Sequence, residues 1–161
     1  MKNEKCLICD YVDENHSQET TCCPRCGTDF KGNTVENKLM SALGTYTTED
    51  KQFFGKLSTT SYIYLTDRRL LAIPEKLEGF NLKTSLTAAI VNKMTSKNGV
   101  ISIPLEQIKA VRDGKFGLLQ KAVIIDTTND ELLKITVSKR KEWKEAIMNA
   151  AANLRRSAQT T

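Results

Sequence analysis

Five cysteines lie between residues 6 and 26, and the spacing of four of them is typical of a metal site. Cys6 and Cys9 form one Cys-x-x-Cys pair, Cys23 and Cys26 form a second, and thirteen residues separate the pairs. Each pair can wrap a tight turn on which the two sulfur atoms converge. Two such turns facing each other create a tetrahedral four-sulfur site.

The first thirty residues resemble a zinc ribbon, and the sequence "CPRCG" at 23–27 is the most specific part of the resemblance. The resemblance implies one structural Zn²⁺ bound by Cys6, Cys9, Cys23 and Cys26. The segment contains few large apolar residues, so it cannot bury enough surface to fold alone. Zinc binding contributes on the order of 10–16 kcal/mol to such modules and replaces the missing core.

Alternatives remain open within this segment. Cys22 could replace Cys23 as a ligand, although the Cys-x-x-Cys spacing favours Cys23. His16 could also bind the metal, although four thiolates already close the site. A catalytic zinc would keep one position for water, which a closed site does not offer. Gly27 suits a backbone that turns back with positive φ after the second pair.

Charge is distributed unevenly along the chain. Residues 1–30 hold three basic and six acidic residues, whereas the whole chain of 161 residues has a net charge of +5. This shift predicts a boundary near residue 31, and the basic remainder suits an acidic partner or an anionic surface.

The sequence has no signal-peptide pattern and no long apolar run, so we expect a cytoplasmic protein.

The stretch after the cysteines predicts a short helix over 34–43. Asn33 can cap it with Glu36 as the reciprocal partner, Val35 and Leu39 recur at helical spacing, and Gly44 would end it.

The rest of the chain predicts strands. Seven short β-rich runs follow residue 52, with a hairpin turn at Asn129-Asp130, and they indicate a sandwich or barrel. The runs are "FFGKLS", "SYIYLT", "LLAIP", "GVISIP", "QIKAVR", "KAVIIDTT" and "ELLKITVS". Ser138 can cap a final helix, whose apolar stripe must pack on the sheet. That stripe consists of Trp143, Ile147, Ala150, Ala151 and Leu154.

Seven strands with one terminal helix resemble the pleckstrin-homology (PH) barrel, and in particular the bacterial PH-like and GRAM-type domains. The stretches that carry the resemblance are "YIYLTDRRLLAI", "ISIPLEQIKAVRDGKFGLLQKAVII" and "ITVSKRKEWKEAI". The expected fold class is therefore α+β, mainly β. The expected domains are a zinc ribbon at 1–30, a helical linker at 31–48, a PH/GRAM-like domain at 49–156 and a disordered tail at 157–161.

One segment exceeds a minimal barrel. In 81–99, Leu82, Leu86, Ile90 and Met94 fall on one helical face, which predicts an inserted helix near 82–94. This helix could pack on the outside of the barrel or contact a partner or membrane.

Basic residues near two features are candidates for binding an anionic partner. Lys139, Arg140 and Lys141 oppose the dipole of the final helix if they lie in its first turn, which can mark an interaction surface or an ordinary solvated charge run. The predicted hairpin tip at 114–120 has a basic rim and apolar residues, which suits a membrane surface if they do not face the core. The rim residues are Arg112, Lys115 and Lys121, and the apolar residues are Phe116, Leu118 and Leu119.

The sequence predicts a binding protein rather than an enzyme. Its single histidine, His16, lies in the acidic loop between the cysteine pairs, and no nucleophile–base arrangement or phosphate-binding loop is present. We expect a protein or peptide partner, with an anionic membrane as the alternative and no small-molecule substrate. A role with nucleic acid is disfavoured because the ribbon is acidic and aromatic residues are few.

Overall fold

The computed structural model describes residues 4–13, 21–29, 35–48, 59–75, 100–116 and 119–159. Within these ranges the chain forms a two-stranded sheet at the N-terminus, a seven-stranded sheet and one long helix. The predicted strand "FFGKLS" and the predicted helix at 82–94 lie outside the described residues.

The described strands are paired antiparallel throughout. The small sheet contains β1 (Glu4–Lys5) and β2 (Val12–Asp13). The large sheet contains β3 (Lys38–Thr48), β4 (Thr59–Thr66), β5 (Arg69–Pro74), β6 (Ile101–Pro104), β7 (Ile108–Phe116), β8 (Gln120–Thr127) and β9 (Leu132–Val137). Its spatial order is β6-β5-β4-β3-β9-β8-β7. A short 3-10 helix (Leu105–Gln107) connects β6 to β7.

The predicted helix at 34–43 is wrong, because Lys38–Thr48 is a strand. Val35, Leu39 and Leu43 are spaced by four residues, which fits one face of a helix but also one face of a strand. The extended conformation is favoured over a helix because β3 pairs with β4 on one side and with β9 on the other. The large sheet therefore starts before residue 49, where the PH-like domain was expected to begin.

Gly44 does not end a helix but allows close packing within the sheet. A Cβ atom at Gly44 would lie 2.3 Å from the carbonyl oxygen of Thr136 on β9. Only a residue without a side chain fits this approach.

The turn between β8 and β9 agrees with the sequence prediction. Asp130 has a φ of 58°, and its N–H donates to the carbonyl of Thr127 at 3.2 Å. Aspartate tolerates the left-handed conformation better than most residues, which explains its position here.

The final helix, α1 (Arg140–Gln159), packs its apolar stripe on the inner face of the large sheet. Trp143 and Ile147 are buried among side chains such as Ile125 and Ile135. The helix begins after Lys139, which has a φ of 55°, and it extends to Gln159, so the predicted disordered tail is wrong for residues 157–159. No helix in the described ranges has both the length and the apolar content needed to cross a bilayer.

Candidate metal centre and its surroundings

The two cysteine pairs form two turns with the same backbone hydrogen bonds. In the first, Asp10 N donates to the carbonyl of Cys6 at 3.0 Å, and Cys6 N donates to the carbonyl of Tyr11 at 2.8 Å. In the second, Gly27 N donates to the carbonyl of Cys23 at 2.8 Å, and Cys23 N donates to the carbonyl of Thr28 at 2.7 Å. This repeated geometry aims both sulfur atoms of each pair toward the other pair.

The residue after each pair has a positive φ. Gly27 has a φ of 73°, as the sequence predicted, and Asp10 has a φ of 59° at the equivalent position. Asp10 was not predicted from the sequence, although aspartate adopts positive φ more often than most residues.

The four predicted cysteines are brought together and buried. Their sulfur atoms all lie within 4.8 Å of one another, and the pairs Cys6–Cys26 and Cys9–Cys23 are each separated by 3.6 Å. Zn–S bonds of about 2.3 Å in a tetrahedron place the sulfur atoms about 3.8 Å apart. The cluster therefore has the ligand type, number and spacing that fit a zinc ion.

Mutual contact and burial shift the pKa values of these thiols in different directions. Hydrogen bonding from Cys26 lowers the pKa of Cys23 to about 7, and hydrogen bonding from Cys23 also lowers the pKa of Cys6. The pKa of Cys9 is raised by its interaction with Cys23 and by burial. Deprotonation of all four buried thiols would bring four negative charges close together, and a divalent cation would offset their repulsion.

The fifth cysteine stays outside the cluster. Cys22 is exposed and pairs through its backbone with Asp29. It therefore does not replace Cys23 in the four-sulfur cluster. His16 lies outside the described residues.

The two cysteine turns and their flanking residues, 4–13 and 21–29, form a unit that we call the cysteine module. The cysteine module is docked on the outer face of the large sheet. The four cysteines and Ile8 pack with Tyr64 of β4, Leu71 and Ile73 of β5, and Val100. This second cluster is distinct from the main core beneath α1.

Arg69 connects the second cysteine turn to the sheet. Its guanidinium donates to both carboxylate oxygens of Glu36, at 2.8 and 2.9 Å, and to the carbonyl of Cys26 at 3.0 Å. It also donates to the hydroxyl of Thr28 at 3.1 Å, which leaves the Thr28 proton to donate to the Cys26 sulfur atom at 3.0 Å. The hydrogen-bond chain from Arg69 through Thr28 therefore ends at a candidate metal ligand.

The sequence analysis assigned Arg69 only to a turn and Glu36 only to a helix cap. A signal was present, because the outward-facing residues of β5 after Arg69 are apolar. An apolar outer face indicates that something covers it, and an arginine at its margin is then a candidate anchor.

Asp10 connects the first cysteine turn to the sheet. Its carboxylate lies 3.0 Å from the ammonium of Lys38 on β3 and 3.1 Å from that of Lys5. Hydrogen bonds, mainly from Lys38 and to a smaller extent from Lys5, lower the pKa of Asp10.

Tyr64 lies beneath the cysteine module. Burial and the nearby Cys9 raise the pKa of Tyr64 to about 12, so its hydroxyl stays neutral.

Several of the predicted basic residues are paired with acidic neighbours rather than grouped as one patch. Arg112 donates to both carboxylate oxygens of Asp126, at 2.7 and 3.1 Å. Arg140 lies 3.6 Å from Asp113, which also binds Lys144. Because Lys139 precedes α1 and its ammonium lies 3.4 Å from Glu142, the expected run of three cations in the first helical turn is reduced to Arg140 and Lys141.

The predicted hairpin tip is only partly apolar at its surface. Lys115 and Lys121 face each other across β7 and β8. Leu119 is 91% exposed, Phe116 is half-buried, and Leu118 lies outside the described residues.

An exposed apolar surface that the sequence analysis did not predict lies on the outer face of β3 and β4. Leu39, Leu43 and Tyr62 are 50%, 56% and 37% exposed. Leu43 pairs with Tyr62, and Tyr62 pairs with Ile73, so Leu43, Tyr62 and Ile73 lie in one row across β3, β4 and β5. This row runs from the exposed surface to the region beneath the cysteine module.

Comparison with known proteins gives the fold. No family model and no curated protein matches this chain. Among solved structures, the Vps36 N-terminal PH domain is similar, with a TM-score of 0.51 and 12% identity over 83% of this chain and 92% of that one. The fold of the described sheet and helix is PH-like.

Two further structures are similar at lower scores. The C-terminal domain of an unknown protein from Leishmania infantum has a TM-score of 0.47 and 14% identity, and the match covers 73% of this chain and 85% of that one. The DH/PH domains of p115-RhoGEF have a TM-score of 0.45 and 14% identity, and the match covers 77% of this chain and 32% of that one.

Proposed function

We propose that this protein is a non-catalytic binding module, in which a structural zinc ribbon is fixed to a PH-like domain that recognises a protein partner. The observation that carries the proposal is the exposed apolar row of Leu43 and Tyr62, which continues into the buried Ile73. An exposed apolar patch beside a packed interface is typical of protein–protein contact surfaces.

The four-cysteine cluster supports a structural rather than a catalytic metal. Cys6, Cys9, Cys23 and Cys26 supply four sulfur ligands, which fills a tetrahedral zinc shell and leaves no position for water or substrate. A metal held in this way stabilises the module and carries no reaction.

Photocrosslinking in the native cell tests the binding surface. A photoreactive phenylalanine analogue at position 62 should form a crosslink to a defined partner, and the same analogue at Met148 should form less, because Met148 is equally accessible on α1 but lies on the opposite side of the sheet. The partner should then bind the purified wild-type chain. Leu43→Asp should weaken that affinity at least tenfold, while Met148→Asp, at an equally exposed apolar side chain on α1, serves as the matched control.

Equal crosslinking from positions 62 and 148, or unchanged affinity of Leu43→Asp, would contradict a partner site at this surface. Circular dichroism of both aspartate variants would show that the sheet remains folded. A loss of binding in a folded Leu43→Asp chain then reports the contact itself.

An anionic membrane surface is the second candidate, and one observation favours it. Lys115 and Lys121 face each other across β7 and β8, and like charges in this position repel unless an anion lies between them. Leu119 at the adjacent tip is 91% exposed and could enter the interface of a bilayer.

Vesicle flotation distinguishes the two candidates. A membrane role predicts that the chain floats with phosphatidylserine-containing vesicles at low salt, less so at high salt, and not with phosphatidylcholine alone. The double variant Lys115→Glu/Lys121→Glu should lose this binding, and Lys109→Glu on the same strand should retain most of it. Absence of flotation at low salt would eliminate the membrane candidate.

A further inference from the structure

The part of the sheet beneath the cysteine module is apolar on both faces. On β5, Leu70 and Ala72 belong to the main core, whereas Leu71 and Ile73 belong to the second cluster. Antiparallel sheets commonly keep one face in water, and their strands then alternate apolar and polar residues. The residues of β5 after Arg69 are instead all buried, so this strand requires a cover on its outer side.

Within the described part of the chain, the side chains that cover this strand are mainly the candidate metal ligands. The ribbon contributes the four cysteines and Ile8 to the buried second cluster, with Tyr11 at its margin. The sheet contributes an apolar strip that we define as Tyr64, Leu71, Ile73 and Val100, whose members are all at most 6% exposed. Among the described residues, the buried side chains that the module contributes to this cluster are Ile8 and the four cysteines, and the position of those cysteines would depend on the metal.

Two polar contacts hold the edges of this cover. Arg69 donates to the carbonyl of Cys26, and Asp10 pairs with Lys38. Both contacts start from the turn conformations of the cysteine pairs, because Cys26 belongs to the second turn and Asp10 has the positive φ that closes the first. If the turns lose their geometry, both edge contacts lose their partners.

We propose that the cysteine module, the proposed zinc ribbon, is a metal-dependent cover over the apolar strip. Loss of the metal then exposes the strip to solvent while the PH-like core stays folded. Without metal, a ribbon of this size lacks the apolar core needed to keep its turns. The uncovered strip joins the exposed pair Leu43–Tyr62 through the Tyr62–Ile73 register, which produces one continuous apolar surface across β3, β4 and β5. This inference rests on the proposed zinc site but not on the identity of a partner.

The main core has its own means of staying folded. Trp143 and Ile147 of α1 pack on the inner face of the sheet, and neither belongs to the cluster beneath the ribbon. Because Trp143 is the only tryptophan of the chain and is 2% exposed, its emission reports the main core separately from the ribbon.

Stepwise chelation of the full-length, zinc-loaded chain tests the proposal. Zinc content is measured first, and one ion per chain establishes the starting state. Removal of zinc should increase the fluorescence of anilinonaphthalene sulfonate several-fold and should accelerate amide exchange in peptides that cover 70–74. The emission of Trp143 should stay unchanged, and added zinc should restore the starting values.

A matched pair of variants repeats the test without chelator. Cys9→Ser removes a ligand and should show the uncovered state, whereas Cys22→Ser changes an exposed thiol and should behave as wild type. Dye fluorescence that does not change on zinc removal would overturn the proposal, because the ribbon would then stay docked without metal. A simultaneous red shift of Trp143 would also overturn it, because the PH-like core would then unfold together with the ribbon. Purified protein without zinc would refute the metal site itself, and the cover proposal with it.

Discussion

The two halves of the candidate metal centre show how single residues with different chemistry perform the same task. Gly27 and Asp10 both follow a Cys-x-x-Cys pair, and both adopt positive φ values that let the chain turn back. Glycine does so without steric cost, whereas Asp10 also places its carboxylate against Lys38. The first turn thereby gains a contact with the sheet that Gly27 cannot make.

The neighbouring cysteines Cys22 and Cys23 give a direct test of the ligand assignment. Cys23→Ser should reduce bound zinc from one ion per chain to well below one, because three sulfur atoms would remain in the cluster. Cys22→Ser should retain full zinc content, because that thiol is exposed and outside the cluster. Elemental analysis of both purified proteins measures this, and equal zinc loss in the two variants would contradict the assignment.

Arg69 should contribute more to stability than its neighbour Arg68. Arg69→Met would leave the carboxylate of Glu36, which is 7% exposed, without its ionic partner, and we expect a loss of about 3 kcal/mol in the free energy of unfolding. Arg68 donates from an exposed position to the carbonyl of Val35, so Arg68→Met should cost less than about 1 kcal/mol. Urea unfolding followed by Trp143 emission measures both, and equal effects would refute the special role of Arg69.

The ion pair between Arg112 and Asp126 should make the stability of the protein depend on pH. Arg112 lowers the pKa of Asp126 by donating two hydrogen bonds to its carboxylate. A lowered folded-state pKa means that the ion pair stabilises the protein above the ordinary aspartate pKa of about 3.9, and that this stabilisation is lost as the pH falls through the folded-state value. Asp126→Asn should therefore be less stable than wild type by about 0.5 kcal/mol at neutral pH.

The difference between Asp126→Asn and wild type should disappear in acid. Unfolding midpoints of both proteins across the acidic range would measure it, and Arg112→Met should show the same loss at neutral pH. A difference that stays constant as the pH falls would contradict the ion pair as its source.

At the level of elements, β3 shows why a spacing of four residues does not by itself identify a helix. Val35, Leu39 and Leu43 lie at such a spacing, and all three are exposed. The inward-facing Met40, Ala42 and Tyr46 of the same stretch pack against the main core. Residues spaced by an even number lie on the same side of a strand, so these exposed residues share one side. Pairing with β4 and β9 stabilises the extended conformation of this stretch rather than a helix.

Gly44 tests the packing of this element. Gly44→Ala should reduce the free energy of unfolding by about 1–3 kcal/mol, because the added Cβ would lie 2.3 Å from the backbone oxygen of Thr136. Ser41→Ala, on the exposed face of the same strand, should have little effect. Thermal unfolding measures both variants. Equal stability of Gly44→Ala and wild type would show that β3 and β9 do not approach as closely as described.

At the level of the whole molecule, two apolar clusters lie on opposite faces of one sheet. The inner cluster is closed by α1 and the outer one by the cysteine module. Strands β4 and β5 therefore depend on both covers, whereas β7 lies at the edge of the sheet and pairs with β8 alone among the described strands. Stability should be distributed accordingly.

Amide hydrogen exchange of the zinc-loaded chain should reveal this gradient. Peptides that cover 63–65 and 70–73 should exchange slowest, because their residues are buried on both faces of the sheet. Peptides that cover 112–116 on the edge strand should exchange faster. Mass spectrometry of exchange time courses measures the difference, and protection of β7 equal to that of β5 would contradict it.

Several local features could be predicted from the sequence because short-range chemistry decides them. The Cys-x-x-Cys spacing indicated the four-sulfur cluster, Asn129-Asp130 indicated a turn, and Trp143 with Ile147 indicated the apolar stripe of α1. The alternation of apolar residues in β8 and β9 likewise indicated strands, since each strand buries one set of its side chains in the main core.

Other features depended on contacts between distant parts of the chain. Glu36 reaches Arg69 across 33 residues, and Gly44 meets Thr136 across the sheet. Neither partner is visible in a local pattern, so Glu36 was interpreted as a helix cap and Gly44 as a helix end. The expected basic surface changed for the same reason, because Asp113 and Asp126 are close to Arg140 and Arg112 only after folding.

The sequence by itself determined the clustering of four cysteines, the β-rich character of the chain and its final helix. These follow from residue spacing and from the periodicity of apolar side chains, which act over a few residues. Only the tertiary structure decided that the cysteine module docks on β4 and β5, and that Leu43 and Tyr62 stay exposed beside it. The physical reason is that an apolar residue in a strand specifies burial but not the partner that buries it, and that partner is set by how the strands are ordered in space.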